Sequence, residues 1–425
     1  MAEAVTPSDD RRAAGPQAPS TGGLNRTGSP SDDRRAEGPQ APSTGGLNRT
    51  GRDVIRLSVS PGERRVALLR DGVLHLAAIE RPARPDGVGD LHRARVTAIS
   101  RPMSGAFLAL ADGSTAFLPD SEAPDRKALQ DGAILPIRLT RAAQGGKGPR
   151  ATARLSAADL AAAAGQGVAF VRRGPSAVLR FAALTPDAPV EIDDAADLAR
   201  LRPTLGDRLR LLRTPAFDDA LEVEFDILAG PEVPLPGGGR LSIHPTPALT
   251  AIDVDAGSHV GGDAAAQLRL NQAAVAEAAR QIRLRNLAGA ILLDLAGMAA
   301  KKREALAAPL AAALAADPLQ PRLLGLTRLG LFEIQRPRIH PPLHEVLGMP
   351  LSALSQGLAA LRRAGREAAA RPGAALRLHA TPAVIAALQA LPEALAEFAA
   401  AAGRPLLLAP DPARPPGGAD IEEVR

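Results

Sequence analysis

An α+β multidomain chain is the fold class this sequence predicts, and three observations predict it. Short apolar runs punctuated by Gly-bearing turns occupy the first third after Asp53. Two apolar runs further on, ALTAIDVDAG and AGAILLDLAG, flank a run of helix formers. Beyond Leu347 the pattern becomes Ala/Leu-rich helices with a few short strands.

Taken in order, the chain opens on a tandem duplication, Thr6–Gly28 and Ser29–Gly51, whose copies differ only at Thr6/Ser29 and Ala14/Glu37. The repeat has no apolar face, so it cannot offset the entropy of ordering, and residues 1–52 are expected to be disordered. RRVALLRDGVLHLAAIE reads as a hairpin turning at Asp71-Gly72. LHRARVTAI, GAFLALADGSTAFLP and AILPIRLTRA add further short strands, a pattern that suits a small barrel of OB type. SAVLRFAAL, APVEI, the helix-like DDAADLARLRPTL and DALEVEFDI follow, and EVPLPGGG marks a boundary. Then come the two apolar runs. The crossover between them, Ala264 to Leu287, puts Leu268, Val275, Ala279 and Ile282 on one helical face. Strand, crossover and strand make parallel neighbours if both lie in one sheet. The C-terminal part reads as a short strand ALRLHA, one helix PAVIAALQALPEALAEFAAAAG, and a last strand RPLLLAPDP running into a polar tail.

The two apolar runs each deliver an aspartate, Asp253 and Asp294. A carboxylate inside such a strand is costly to bury unless a cation or a hydrogen bond meets it. Both would emerge at the same sheet edge, where sites usually form. Asp255 adds a third carboxylate, and oxygen donors on a rigid frame suit Mg²⁺. The plain alternative is a capping or salt-bridged aspartate at a strand end. Phe107 and Phe117 flank an ADGS turn, so both rings could share one side of a hairpin, either as base-stacking surfaces or as barrel core. Lys147 in QGGKGPR lies between glycines that let a phosphate come close, but no Walker frame exists there. Arg280, Arg283, Arg285, Arg336 and Arg338 form a basic group that reads as phosphate-contacting or as a solvated face. His259 reads as a loop histidine, and the prolines in HPPLH argue against His340 and His344 as a metal pair.

Composition bounds the partners. The formal charge is +5, almost all from arginine, which fits a polyanion without requiring one. There is no cysteine, hence no disulfide and no thiolate site, in agreement with a reducing cytoplasm. No run approaches the ~18 apolar residues of a membrane helix, and no secretory signal is visible.

LPGGG at Leu235–Gly239, ALTAIDVDAG at Ala248–Gly257, EAARQIRLRNLAGAILLD at Glu277–Asp294 and TRLGLFEIQRPRI at Thr327–Ile339 occur in this order. In these segments the chain resembles the ribonuclease E/G family of bacterial endoribonucleases. The resemblance implies an RNase H-like subdomain (53–90 and, with a remnant of a sensor, 156–230) interrupted by an OB-fold RNA-binding insert (91–155). It implies a deoxyribonuclease I-like catalytic part over 231–346 and a small C-terminal α/β domain over 347–425. It further implies catalytic Mg²⁺ on Asp253 and Asp294 with Asp255 facing the metal, and single-stranded RNA contact by Phe107, Phe117, Lys147, Arg336 and Arg338. Products would carry a 5′-phosphate and a 3′-hydroxyl.

Four departures stand out. Only Leu155–Gly174 occupies the interval where the family has its 5′-end sensor, and the Val-Arg-Thr signature is absent. The cysteines that share a zinc between family subunits are missing, so any homodimer is not zinc-linked. Gly297 and Pro247 stand where the family usually has Asp and Glu, and Ala273 replaces a Glu. The expectation is a cytoplasmic, Mg²⁺-dependent endoribonuclease of RNA processing or mRNA decay. The alternative is an RNA-binding protein with an eroded nuclease centre.

Overall fold

The hairpin at Asp71-Gly72 forms as read, between strands Glu63–Arg70 and Val73–Glu80. The structure, a computed structural model, describes residues 53–125, 129–257, 264–415 and 417–424, all within one compact unit. The duplicated segment and His259 lie outside the described residues. The hairpin belongs to a five-stranded sheet ordered Leu209–Leu211, Val190–Ile192, Val54–Ser60, Glu63–Arg70, Val73–Glu80. Its first three members run parallel and the rest antiparallel. Alternation puts Ile55, Leu57, Val66 and Leu68 on one face, against Val178 and Phe181 of the helix Ala177–Leu184 and Leu201 of the helix Ala195–Leu205.

The chain leaves this sheet after Glu80 and returns at Ala177. In between it closes a five-stranded barrel: Leu91–Ser100, Gly105–Ala109, Thr115–Pro119, Arg150–Thr152 and Ile134–Arg141, which pairs back on the first. Alanines and larger side chains alternate inside it, among them Ala94, Val96, Ala106, Leu108, Ala116 and Leu118. The short interval Leu155–Gly174 is sewn onto the barrel rather than standing apart. Ser156 caps a helix, Ala157–Ala162, and the strand Ala169–Arg172 pairs antiparallel with Leu91–Arg93. The buried Asp159 holds the pieces together through ion pairs with Arg138 and, at 2.6 Å, Arg172.

The third unit is a six-stranded sheet ordered Glu232–Pro234, Arg240–Pro245, Leu249–Asp255, Gly289–Asp294, Phe332–Arg336, Arg322–Leu326. The helix Ala264–Leu284 crosses from the third strand to the fourth, which run parallel, and with Ala307–Leu314 it covers one sheet face. Val275, Ala279 and Ile282 are buried there as expected, but Leu268, in the helix's second turn, stays 39% exposed.

At the C-terminus, strand Ala375–Ala380 lies between Leu407–Pro410 and Ala419–Val424. Two expectations fail here. The single helix is two, Pro382–Gln389 and Pro392–Ala402, bent by 85°, because Pro392 lacks the N–H that would continue the first and instead starts the second. The polar tail is a strand, since its backbone pairs antiparallel with Ala375–Ala380 whatever its side chains are. No single helix among the described residues is long and apolar enough to cross a membrane.

Candidate active site

Period-two burial builds the site. In Leu249–Asp255 the buried positions are Thr250, Ile252 and Val254, which turns Asp253 and Asp255 to the face away from the helices. In Gly289–Asp294, Ile291 and Leu293 are buried and Asp294 turns the same way. Asp253 and Asp294 are register partners on adjacent parallel strands, which places their backbones about 4.8 Å apart. The structure therefore brings the two aspartates side by side on an uncovered sheet face.

The three carboxylates have different partners. Asp294 Oδ1 accepts a 2.6 Å hydrogen bond from Arg303 Nη1. Asp255 forms a 2.9 Å ion pair with Arg240, its register partner on the next strand. Asp253 has no hydrogen-bond or ion-pair partner among the described residues, and its register partner on that strand is Ser242. Among the described residues no three His, Asp or Glu side chains are gathered as a closed metal cage. The donor set is nevertheless hard oxygen only, and two carboxylates completed by water suit Mg²⁺.

Behind Asp294 the turn is clamped. Asn271, fully buried on the crossover helix, donates to the Ala296 carbonyl at 2.9 Å and accepts from the Ala296 N–H at 3.1 Å. Gln267 donates to the same carbonyl at 3.3 Å. Gly297 has φ +47°, and a Cβ there would lie 2.2 Å from Gln267 Nε2. The near atoms are the movable end of the Gln267 side chain, so the positive φ is the feature that favours glycine here. Sequence reasoning missed Asn271 and Arg303. The first left a signal, an amide on an otherwise apolar helical stripe; the second, inside the basic run KKR, left none.

Phe107 and Phe117 are cross-strand partners with ring centroids 5.4 Å apart. Their neighbours Ala106, Leu108, Ala116 and Leu118 fill the barrel, so the two half-buried rings face outward. Gly105 makes room for one of them, since a Cβ there would sit 2.5 Å from Phe117 Cζ. Phe107→Ala with Phe117→Ala is therefore expected to leave the melting midpoint nearly unchanged. The same pair should weaken single-stranded RNA binding by about 1–3 kcal/mol per stacked base. A double variant that unfolds would show that the rings are core.

Cations continue from the rings. Arg150 is the register partner of Phe117. The exposed Lys147 sits at a turn bridged back to Gln144. Burial, with the like charges of Arg150 and Arg338 adding to it, pushes the Arg141 guanidinium below its ordinary pKa. Arg338 is half-buried and passes between Gly145 and Gly289 at the start of Asp294's strand. Arg336 is different, and the expectation of a phosphate contact is corrected. It is 4% exposed and its guanidinium is spent inside: on Asp317 at 2.7 Å, on Asn286 Oδ1 at 2.6 Å and on the Leu287 carbonyl at 3.2 Å. Strand parity decides this, because Phe332, Ile334 and Arg336 all point to the covered face. Arg285 is likewise internal, bonded to the Ile227 and Gly230 carbonyls and to Gln281, and burial lowers its pKa to about 10. His340 bonds Asp86 at 2.6 Å, whereas His344 is part-buried near Arg285.

Residues 181–339 match the model of the "Ribonuclease E/G family". In this segment the chain is similar to the ribonuclease E/G family. Over 123 residues it is 40% identical to Ribonuclease E of Synechocystis sp., covering 28% of this chain and 18% of that relative. It is 34% identical over 163 residues to the chloroplastic Ribonuclease E/G-like protein of Arabidopsis thaliana, covering 36% of this chain and 16% of the relative. With Ribonuclease G of Escherichia coli the identity is 35% over 140 residues, 32% of this chain and 28% of the relative. Each alignment thus spans less than a third of the relative's length. The family match contains Asp253, Asp255, Asp294, Arg336 and Arg338, and the barrel with Phe107, Phe117 and Lys147 lies before it.

Proposed function

We propose that this chain is a Mg²⁺-dependent endoribonuclease acting on single-stranded RNA. The observation that carries the reading is the in-register pair Asp253 and Asp294 on an open sheet face, inside the family match. Asp253 and Asp294 would hold the ion, with Asp255 beside it. Bound there, Mg²⁺ supplies an activated, oriented water and neutralises charge growing on the scissile phosphate. The protein's part is to fix the geometry. The Asn271 clamp on Ala296 holds the turn after Asp294, and the buried Ile252, Val254, Ile291 and Leu293 anchor both strands. Phe107 and Phe117 offer stacking faces to unpaired bases, and Lys147 and Arg338 offer charge to the phosphates between barrel and sheet.

The strand order of the first sheet, interrupted by the barrel, supports the RNase H-like reading, and the closed barrel supports the OB reading. The interval Leu155–Gly174 is consumed by the barrel's extra strand, which leaves no separate sensor unit among the described residues. RNA processing or decay in the cytoplasm is the role this reading implies.

The rival is an RNA-binding protein with a silent centre. Gly297, Ala273 and the guanidiniums on Asp294 and Asp255 favour it, since each lowers the negative charge a cation would meet. Purified protein on end-labelled single-stranded RNA separates the two. The enzyme yields fragments ending in 3′-hydroxyls and cuts 5′-monophosphate and 5′-hydroxyl substrates at similar rates. The rival shifts the RNA on a gel and yields none.

A further inference from the structure

We propose that Arg303 is an internal cation that occupies Asp294 in the metal-free protein and thereby sets how tightly the site takes up a divalent ion. This rests on the reading of Asp253 and Asp294 as the metal-holding pair.

Arg303 is held in place from three sides. Its Nε donates to the Met298 carbonyl at 2.9 Å, and its Nη1 donates to Asp294 Oδ1 at 2.6 Å and to the Gly330 carbonyl at 2.9 Å. The Gly330 turn is itself closed by Gly330 N–H on Thr327 and Thr327 N–H on Leu331. The Arg303 side chain is 14% exposed, against 46% for Asp294. A guanidinium anchored by two backbone carbonyls is preorganised and loses little freedom in meeting the carboxylate.

Charge gives this contact its consequence. Two carboxylates on adjacent parallel strands repel each other unless a cation lies near. A divalent ion meets that need, and so does Arg303. Of the three aspartates, Asp294 has Arg303 and Asp255 has Arg240, while Asp253 has no cation within ion-pair distance among the described residues. With Gly297 at the turn no further acid is added. Two of the three aspartate carboxylates are thus already met by guanidiniums. A divalent ion binding Asp294 must displace the guanidinium or sit beside a like charge. Arg303 is thus a positioning residue that acts through Asp294: it steadies the empty pair and competes for it.

The test uses Mn²⁺ alone as the probe, with affinity read by titration calorimetry and stability by thermal melting. Arg303→Gln is expected to bind Mn²⁺ about tenfold more tightly, within the range by which groups next to a metal's ligands alter its affinity. Its metal-free melting midpoint should fall, and saturating Mn²⁺ should raise that midpoint by more than in the unmodified protein. Arg303→Lys keeps the charge without the three-point anchoring and should lie between. A merely structural arginine would lower the midpoint and leave the Mn²⁺ affinity where it was, which overturns the proposal. Asp253→Asn separates the two levels of the argument. If it abolishes Mn²⁺ binding while Arg303→Gln and Arg303→Lys change nothing, only the competition fails. If Mn²⁺ binding ignores Asp253→Asn, or is absent throughout, the metal pair itself is wrong and the proposal goes with it.

Discussion

Asp294→Asn is expected to abolish cleavage of single-stranded RNA and to leave RNA binding intact. The substitution keeps side-chain size and removes one charge from the pair in register with Asp253. A lost ligand should cost more than the ~10–100-fold typical of a lost outer partner. Binding should persist because Phe107, Phe117 and Lys147 belong to the barrel rather than to this sheet. Asp253→Asn should behave alike. Asp255→Asn should be milder, since Arg240 already engages that carboxylate. Initial rates on labelled RNA, taken beside filter-binding affinities, check the set. An Asp294→Asn protein that cuts at the unmodified rate would remove this carboxylate from the chemistry.

The largest effect on stability is expected at Arg336. Arg336 and Asp317 are 4% and 1% exposed and pair at 2.7 Å between the strand Phe332–Arg336 and the loop after Ala307–Leu314. Arg336→Met strands a buried carboxylate and should destabilise the protein by about 3–5 kcal/mol. Arg336→Met with Asp317→Leu should recover most of that loss, because no buried charge is then left alone. Denaturant unfolding of the single and double variants measures both. If Arg336 instead contacted RNA from the surface, the single variant would keep its stability and lose affinity.

These two residues mark what could be read from the chain and what could not. The strand pair, its crossover and the hairpin at Asp71-Gly72 were legible because each is written in local periodicity or turn chemistry. Asp253 and Asp294 were legible for the same reason, since each is a polar residue breaking an apolar strand. The inward turn of Arg336 was not, because its partner lies 19 residues away and only strand parity in the finished sheet points one at the other. Arg303 sits in a basic run that looks like solvated surface until the Gly330 turn folds against it. The tail strand Ala419–Val424 has only Ala419 and Ile421 as apolar alternation, too short a signal among its acids to reveal it. The bend at Pro392 was written in the sequence and outweighed by the apolar run on both sides. The use of Leu155–Gly174 as a barrel strand depends on pairing with Leu91–Arg93, far behind it in the chain.

One measurement bears most directly on the proposed activity: the rate of single-stranded RNA cleavage by the purified protein as Mg²⁺ is titrated and then chelated. Two carboxylates and water bind this ion loosely, so the rate should rise through the millimolar range and fall to nothing with chelator. Protein that binds the RNA but shows no cleavage with any divalent ion would contradict the account and leave an RNA-binding protein in place of an enzyme.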